Sequence, residues 1–271
     1  LTLGLVLNEK GEKMSKSKGN YVDPLPVMDS LGADSLRLYL YSTPLWRDRR
    51  VGINLIREYK SRTIDTLWNS YVFYRSNSKL DKFIFDNGNI TEKIDKWLIS
   101  ELNSTIECVN GSMKEFEIHK GVNCIENFLD KLSNWYIRRS RRRFWDENVT
   151  EEKLSGYRTL YIVFRDLTRL MAPFTPFITE YIYRDLTGEE SVHLAEYPKE
   201  NKELIDKKLE KEMNDVIRIV EMGRRARQMA NIKTRQPLEK IVVIGEKNIL
   251  NEIKDYESMI LEDEVYIYST T

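Results

Sequence analysis

Three lysines and two serines fall within the six residues Lys13-Met14-Ser15-Lys16-Ser17-Lys18, with Gly11 and Gly19 close on either side. A lysine ammonium is a compact charge for phosphate oxygens, and serine hydroxyls and loop amides add further donors. Such a loop can stabilise the charge that develops on a triphosphate during adenylyl transfer. On composition alone it reads equally well as the solvated tip of a basic hairpin.

A second concentration of charge lies in Asn134–Trp145, where five arginines occupy the six positions 138–143. At about 100° per residue, Leu132, Tyr136, Arg139 and Arg143 share one stripe of a helix and Arg141 points the opposite way. Arginines on a core-facing stripe need acidic partners or bound phosphate. Outward ones suit an RNA backbone, and Trp135, Phe144 and Trp145 can pack or stack on bases. The competing reading is an internal salt-bridge network among core tryptophans. A third cluster, Gly223-Arg224-Arg225-Ala226-Arg227-Gln228 with Lys233 and Arg235, closes a long helix, where cations also meet the macrodipole favourably. His119 and His193 have no second ligand nearby, and no zinc spacing is present.

The elements that position these residues are mostly helices. An apolar run, Leu3–Leu7, reads as a strand feeding the lysine loop, which Pro24 and Pro26 end. A helix is expected over 33–42, followed by a boundary near 44–48. Long amphipathic helices are expected over 48–75, from a Thr91 N-cap onward, over 119–146, from Thr150 to Ala172, and from Pro176 to about Asp185, closed near Gly188. A linker (188–201) leads to a helix over 202–230. Beyond it, Ile241–Ile244 reads as a buried strand, 248–258 as helix and 264–268 as a final strand. The fold class is therefore mainly α: an antiparallel helical bundle with a short β/loop segment at one end and the start of a small α/β module at the other. Three segments are expected: 1–47, 48–200 and 201–271.

Composition narrows the function classes. Lys plus Arg (43) equals Asp plus Glu (43) among 271 residues, so any nucleic-acid surface must be local. No apolar run approaches the roughly 20 residues of a membrane span. Cys108 and Cys124 lie in helical patterns without CxxC spacing, which reads as two thiols in a reducing, cytoplasmic setting. The chain opens without Met inside an apparent strand and stops in another, as an excised piece would.

The string Lys13-Met14-Ser15-Lys16-Ser17, followed by Gly19-Asn20-Tyr21-Val22-Asp23-Pro24 and Gly32-Ala33-Asp34-Ser35-Leu36-Arg37, resembles the KMSKS signature of class I aminoacyl-tRNA synthetases and its continuation. Asn134–Trp145 resembles the anticodon-binding bundle of the isoleucyl branch more than the valyl or leucyl ones. Met171–Glu180 is similar to a segment that all three share. Ser191-Val192-His193-Leu194 with Tyr197-Pro198, and Ala230–Leu238, lean to the isoleucyl branch. The resemblance covers essentially the whole chain. It implies that Lys16 contacts ATP and Lys13 helps to stabilise the activated state, while Met14, Ser15 and Ser17 shape the loop. It implies tRNA contacts at Trp135, Arg138, Arg139, Arg141, Arg142, Arg143, Arg224 and Arg227. The longer enzyme would use ATP with Mg2+, isoleucine and an isoleucine-accepting tRNA, act as a cytoplasmic monomer and hold no metal on these residues. The first signature of the class, a His-Ile-Gly-His-like string, does not occur here, so the 271 residues alone are expected to bind no cofactor and to be inactive in aminoacylation. Two alternatives remain: a valyl or leucyl relative, and a non-catalytic RNA-binding helical domain.

Overall fold

The computed structural model describes residues 3–264 apart from 16, 18, 234, 235, 237, 239, 246–249 and 251. The chain forms two compact units, 1–205 and 206–271.

In the first unit the expected opening strand is only two residues long: β1 (Val6–Leu7) pairs in parallel with β2 (Arg49–Arg50). The prolines do more than end the loop. Asp23 caps α1 (Pro24–Leu31), its carboxylate accepting from the Leu25 amide at 3.0 Å, and Pro24 takes the first helical position, where no amide hydrogen is needed. Gly32, at φ 84°, turns the chain into α2 (Ala33–Tyr41). The helix expected over 48–75 is two helices, α3 (Ile53–Arg62) and α4 (Ile64–Leu80), broken at Thr63, whose hydroxyl donates to the Tyr59 carbonyl.

The core is built by α5 (Lys93–Lys114), α6 (Ile118–Asp130), α8 (Glu151–Met171) and α9 (Pro176–Thr187). Thr91 does not cap α5. Glu92 holds that position, and the Thr91 amide donates instead to Ser155 Oγ at 3.0 Å. Thr150 does cap α8, accepting from the Lys153 amide, and Gly188 closes α9 in the left-handed conformation. The third expected helix runs unbroken from α6 to α7 (Arg138–Trp145), but residues 131–137 wind as a π-helix. Within that turn three consecutive large side chains, Trp135, Tyr136 and Ile137, are buried.

The expectation of two free thiols is corrected. The Cys108 and Cys124 sulfurs are bonded, with Cα atoms 6.5 Å apart, because α5 and α6 return antiparallel and bring the two positions face to face. The helix ends also depart from the usual residue choice. Lys82 and Phe116 take positive φ (52° and 58°) where α4 and α5 stop, and the following amides reach back to Ser78 and Ser112 carbonyls. This is the Schellman closure that ordinarily selects glycine.

Between α3 and α6 the Tyr59 hydroxyl donates to the half-buried Glu126 carboxyl, whose pKa burial pushes up to about 7 from 4.5. The folded protein thus holds a proton that the unfolded chain has lost between those values. This contribution to stability is full below pH 4.5 and is lost as pH rises through 7. Glu126→Gln, which keeps an acceptor for Tyr59, should raise stability at pH 8 by about 1–2 kcal/mol after allowing for solvent screening, and leave it unchanged at pH 4. Urea midpoints at the two pH values check this; equal effects at both would count against it.

In the second unit, α10 (Lys207–Met229) starts at an Asp206 cap and buries Leu209, Met213, Val216 and Val220. It packs with α11 (Glu257–Glu264), beside which the Tyr256 hydroxyl donates to Glu212 at 2.6 Å. Residues 241–245 are not a strand, and Val242 and Ile244 are exposed rather than buried. Of the strand expected over 264–268, residue 264 ends α11 and 265–268 lie outside the described residues.

Candidate nucleotide loop and nucleic-acid interface

The lysine loop rests on two asparagines. Asn8 and Glu12 close the turn below it, through the Asn8 amide on the Glu12 carbonyl (2.9 Å) and the Glu12 amide on Asn8 Oδ1 (2.8 Å). Leu7 then bridges to Lys13. Above, the Asn20 side chain spans the loop mouth: Oδ1 accepts from the Ser15 amide at 2.7 Å, and Nδ2 donates to the Lys13 carbonyl at 3.2 Å. The Ser15 and Ser17 hydroxyls lie 2.8 Å apart, and Met14 sulfur accepts from the Val22 amide, which gives the methionine a packing role. Lys13 is exposed; Lys16 lies outside the described residues.

Two residues of the continuation tie this segment to the bundle. Buried Asp34 accepts from the Phe177 and Ile178 amides (3.3 and 2.7 Å), capping α9 across 143 and 144 residues of sequence. Burial raises its pKa above the usual value, although those two amides and Arg37 favour the charged form. Arg37 donates to the Pro173 and Phe174 carbonyls at 3.0 and 3.2 Å. Sequence reading missed these roles; the signal was a lone acid at the start of α2 and an unplaced α9 N-terminus.

The arginine-rich helix is fixed by a buried carboxylate. Asp95, on α5, is fully buried and accepts from Tyr136 Oη (2.6 Å), Ser155 Oγ (2.6 Å) and both terminal nitrogens of Arg143 (3.1 and 2.8 Å). Burial alone would lower the Arg143 pKa, but Tyr136 and Asp95 more than offset it and hold it above the ordinary value. Just past the same end of α7, the buried Lys153 ammonium donates to the Asp146 carbonyl at 2.7 Å and pairs with Asp81 at 2.5 Å. Both contacts hold the C-terminal end of the helix, and Tyr136 ties the turn before it to the same carboxylate as Arg143.

Several of the expected contact residues have partners inside the fold. Arg143 is spent on Asp95. Trp135 is only 4% exposed and lies under Arg139, whose guanidinium sits 4.9 Å from the ring, so it offers no face to a base. In the second unit, Arg227 is buried and donates to the Gln236 carbonyl at 2.8 Å, closing the end of α10, while Arg224 is half-buried and Arg225 exposed. Arg138, Arg141 and Arg142 remain on the outside, with Trp145 at 63% exposure beyond them. Among the described residues neither Arg141 nor Arg142 meets an acidic partner. Also among them, no cluster of His, Cys, Asp or Glu fits a metal ion and no helix is long and apolar enough to cross a membrane.

A helical bundle that carries an arginine-rich helix and continues from a KMSKS loop is an arrangement of the class I synthetase type. Comparison with known families agrees: residues 95–243 match the anticodon-binding domain of tRNA ligase, and residues 1–52 match the class I tRNA synthetases for I, L, M and V. The chain belongs to the family of tRNA-ligase anticodon-binding domains. It is 42% identical to an isoleucine–tRNA ligase of Clostridium tetani over 98% of its own length and 26% of that protein's. It is 38% identical to one of Picrophilus torridus (94% and 25%), and 40% to isoleucine–tRNA ligase 2 of Bacillus cereus (97% and 26%). The chain thus spans about a quarter of the length of these relatives. Among solved structures, LeuRS from Agrobacterium radiobacter K84 (agnB2), determined in a ternary complex with tRNA and LeuAMS, superposes with a TM-score of 0.54 at 22% identity, over 75% of this chain and 24% of that one. That likeness shows a shared fold.

Proposed function

We propose that this chain is the tRNA-gripping part of an isoleucine–tRNA ligase, an ATP-dependent enzyme that activates isoleucine and transfers it to its tRNA. The outward set Arg138, Arg141 and Arg142, on a helix that Asp95 and Lys153 hold in place, is the observation that carries the reading. Arg141 and Arg142, which meet no acid among the described residues, suit RNA phosphates. ATP with Mg2+ and isoleucine belong to the longer enzyme, in which Lys13 and Lys16 face the nucleotide. The exposed Lys13 and the serine pair supply the donors that phosphate oxygens require. The enzyme is proposed to work in the cytoplasm as a monomer.

The salt dependence of tRNA binding by the chain tests this reading. Affinity should fall steeply with salt, and Arg142→Ala should reduce the log–log slope by about one unit. Replacing Arg138, Arg141 and Arg142 together should remove roughly two to three units. An unchanged slope in the triple variant would return these residues to a structural role.

A further inference from the structure

The loop 42–50 between α2 and α3 takes no part in the roles assigned so far, yet it is held by an unusual number of contacts for a surface turn. Arg49 reaches back to the Leu40, Thr43 and Pro44 carbonyls. The Gly4 amide donates to the Leu45 carbonyl at 2.9 Å, and the Leu5 amide to Asp48 Oδ1 at 2.7 Å. The approach to Gly4 is so close that a Cβ there would sit 2.1 Å from the Arg47 carbonyl oxygen.

What this rigid turn displays is Trp46, 52% exposed, with its ring edge-on to His119 at the start of α6, the centroids 5.5 Å apart. Arg47 beside it is exposed and has no acidic partner among the described residues. The hydrogen bonds around it hold this half-exposed indole at the surface beside a cation. An indole face beside a cation is the platform on which proteins stack an unpaired nucleotide.

We propose that Trp46, backed by His119 and flanked by Arg47, stacks on an unpaired nucleotide of the bound tRNA. This rests on the tRNA-binding reading above. The platform stands near the N-terminus of the same continuous helix that carries the arginines at its far end, roughly 30 Å away, so one RNA would be held at two separate points by different forces. Stacking is insensitive to salt and the arginine contacts are not.

The two are separable in tRNA titrations of the chain. Trp46→Ala should weaken binding roughly tenfold with the salt slope unchanged, Trp46→Phe should restore most of the loss, and a blunt RNA duplex of matched phosphate number should bind both proteins equally. Indole fluorescence gives an independent readout: tRNA should quench the parent chain, and the quench should shrink in Trp46→Phe. Parental affinity in Trp46→Ala, or an undiminished quench in Trp46→Phe, would overturn the platform while leaving the arginine reading intact. Failure of the parent chain to bind tRNA at all would remove both.

Discussion

Asp95→Asn should cost residues 1–205 about 3–5 kcal/mol of stability, because it leaves the Arg143 guanidinium buried without its counter-charge. The amide keeps the volume and one acceptor, so the loss reports charge and bonding rather than a cavity. Four hydrogen bonds converge on the carboxylate, two of them from Arg143 and one each from Tyr136 and Ser155. An amide nitrogen turned toward any of these donors can accept nothing. The effect should be strongly non-additive: in Asp95→Asn with Arg143→Met, the second change removes the stranded charge and recovers part of the loss. Denaturant midpoints of the two single variants and the double one give the coupling directly. A loss below 1 kcal/mol in Asp95→Asn, or simple additivity, would show that the network is not what sets α7. Because the clamp also aims Arg138, Arg141 and Arg142, the same variant should bind tRNA more weakly even where it remains folded.

The second large effect concerns the loop. In the ligase that carries this chain, Lys16→Ala should slow adenylate formation by about 10²–10³-fold, the usual scale for removing one preorganised donor from developing negative charge. The affinity for tRNA should hardly change, since the arginine helix lies elsewhere in the fold. Amino-acid-dependent pyrophosphate exchange and a tRNA-binding titration on the same variant check both halves. Unaltered exchange would leave a non-catalytic RNA binder as the better reading. Asn20→Ala is the matching control for loop shape, because its two hydrogen bonds hold the loop mouth at Ser15 and Lys13.

The helices were readable wherever a cap, an apolar stripe and a stop coincided, as in α8 with Thr150 and α9 with Pro176 and Gly188. They were misread where the punctuation was unusual. Thr63 breaks 48–75 into two helices without a proline or glycine, and α5 starts from Glu92, one residue after the expected Thr91 cap. The arginine cluster was legible as chemistry, and periodicity placed Arg139 and Arg143 on the core-facing stripe. That the acid meeting Arg143 is Asp95, on α5, needed the fold. The burial of Trp135 beside Tyr136 and Ile137 also needed the fold, because the neighbours that cover it come from other helices. Of the loop, the sequence carried the identity of the lysines, while the asparagine clamps and the Asp34 cap needed the fold.

The π turn at 131–137 has a consequence for how this domain tolerates change. A turn that takes in one residue more than an α turn shifts everything after it by about 100°. The bearing of the arginines is thus fixed separately from that of the stripe on α6 that anchors them. Length changes inside the seven residues act as errors of heading, swinging the charged face away from its target while the anchoring stripe on α6 keeps its place. Substitutions at the same positions act on packing and, at Tyr136 and Lys131, on the bonds to Asp95 and Glu101. One residue gained or lost there would turn the arginine face without redesigning either surface.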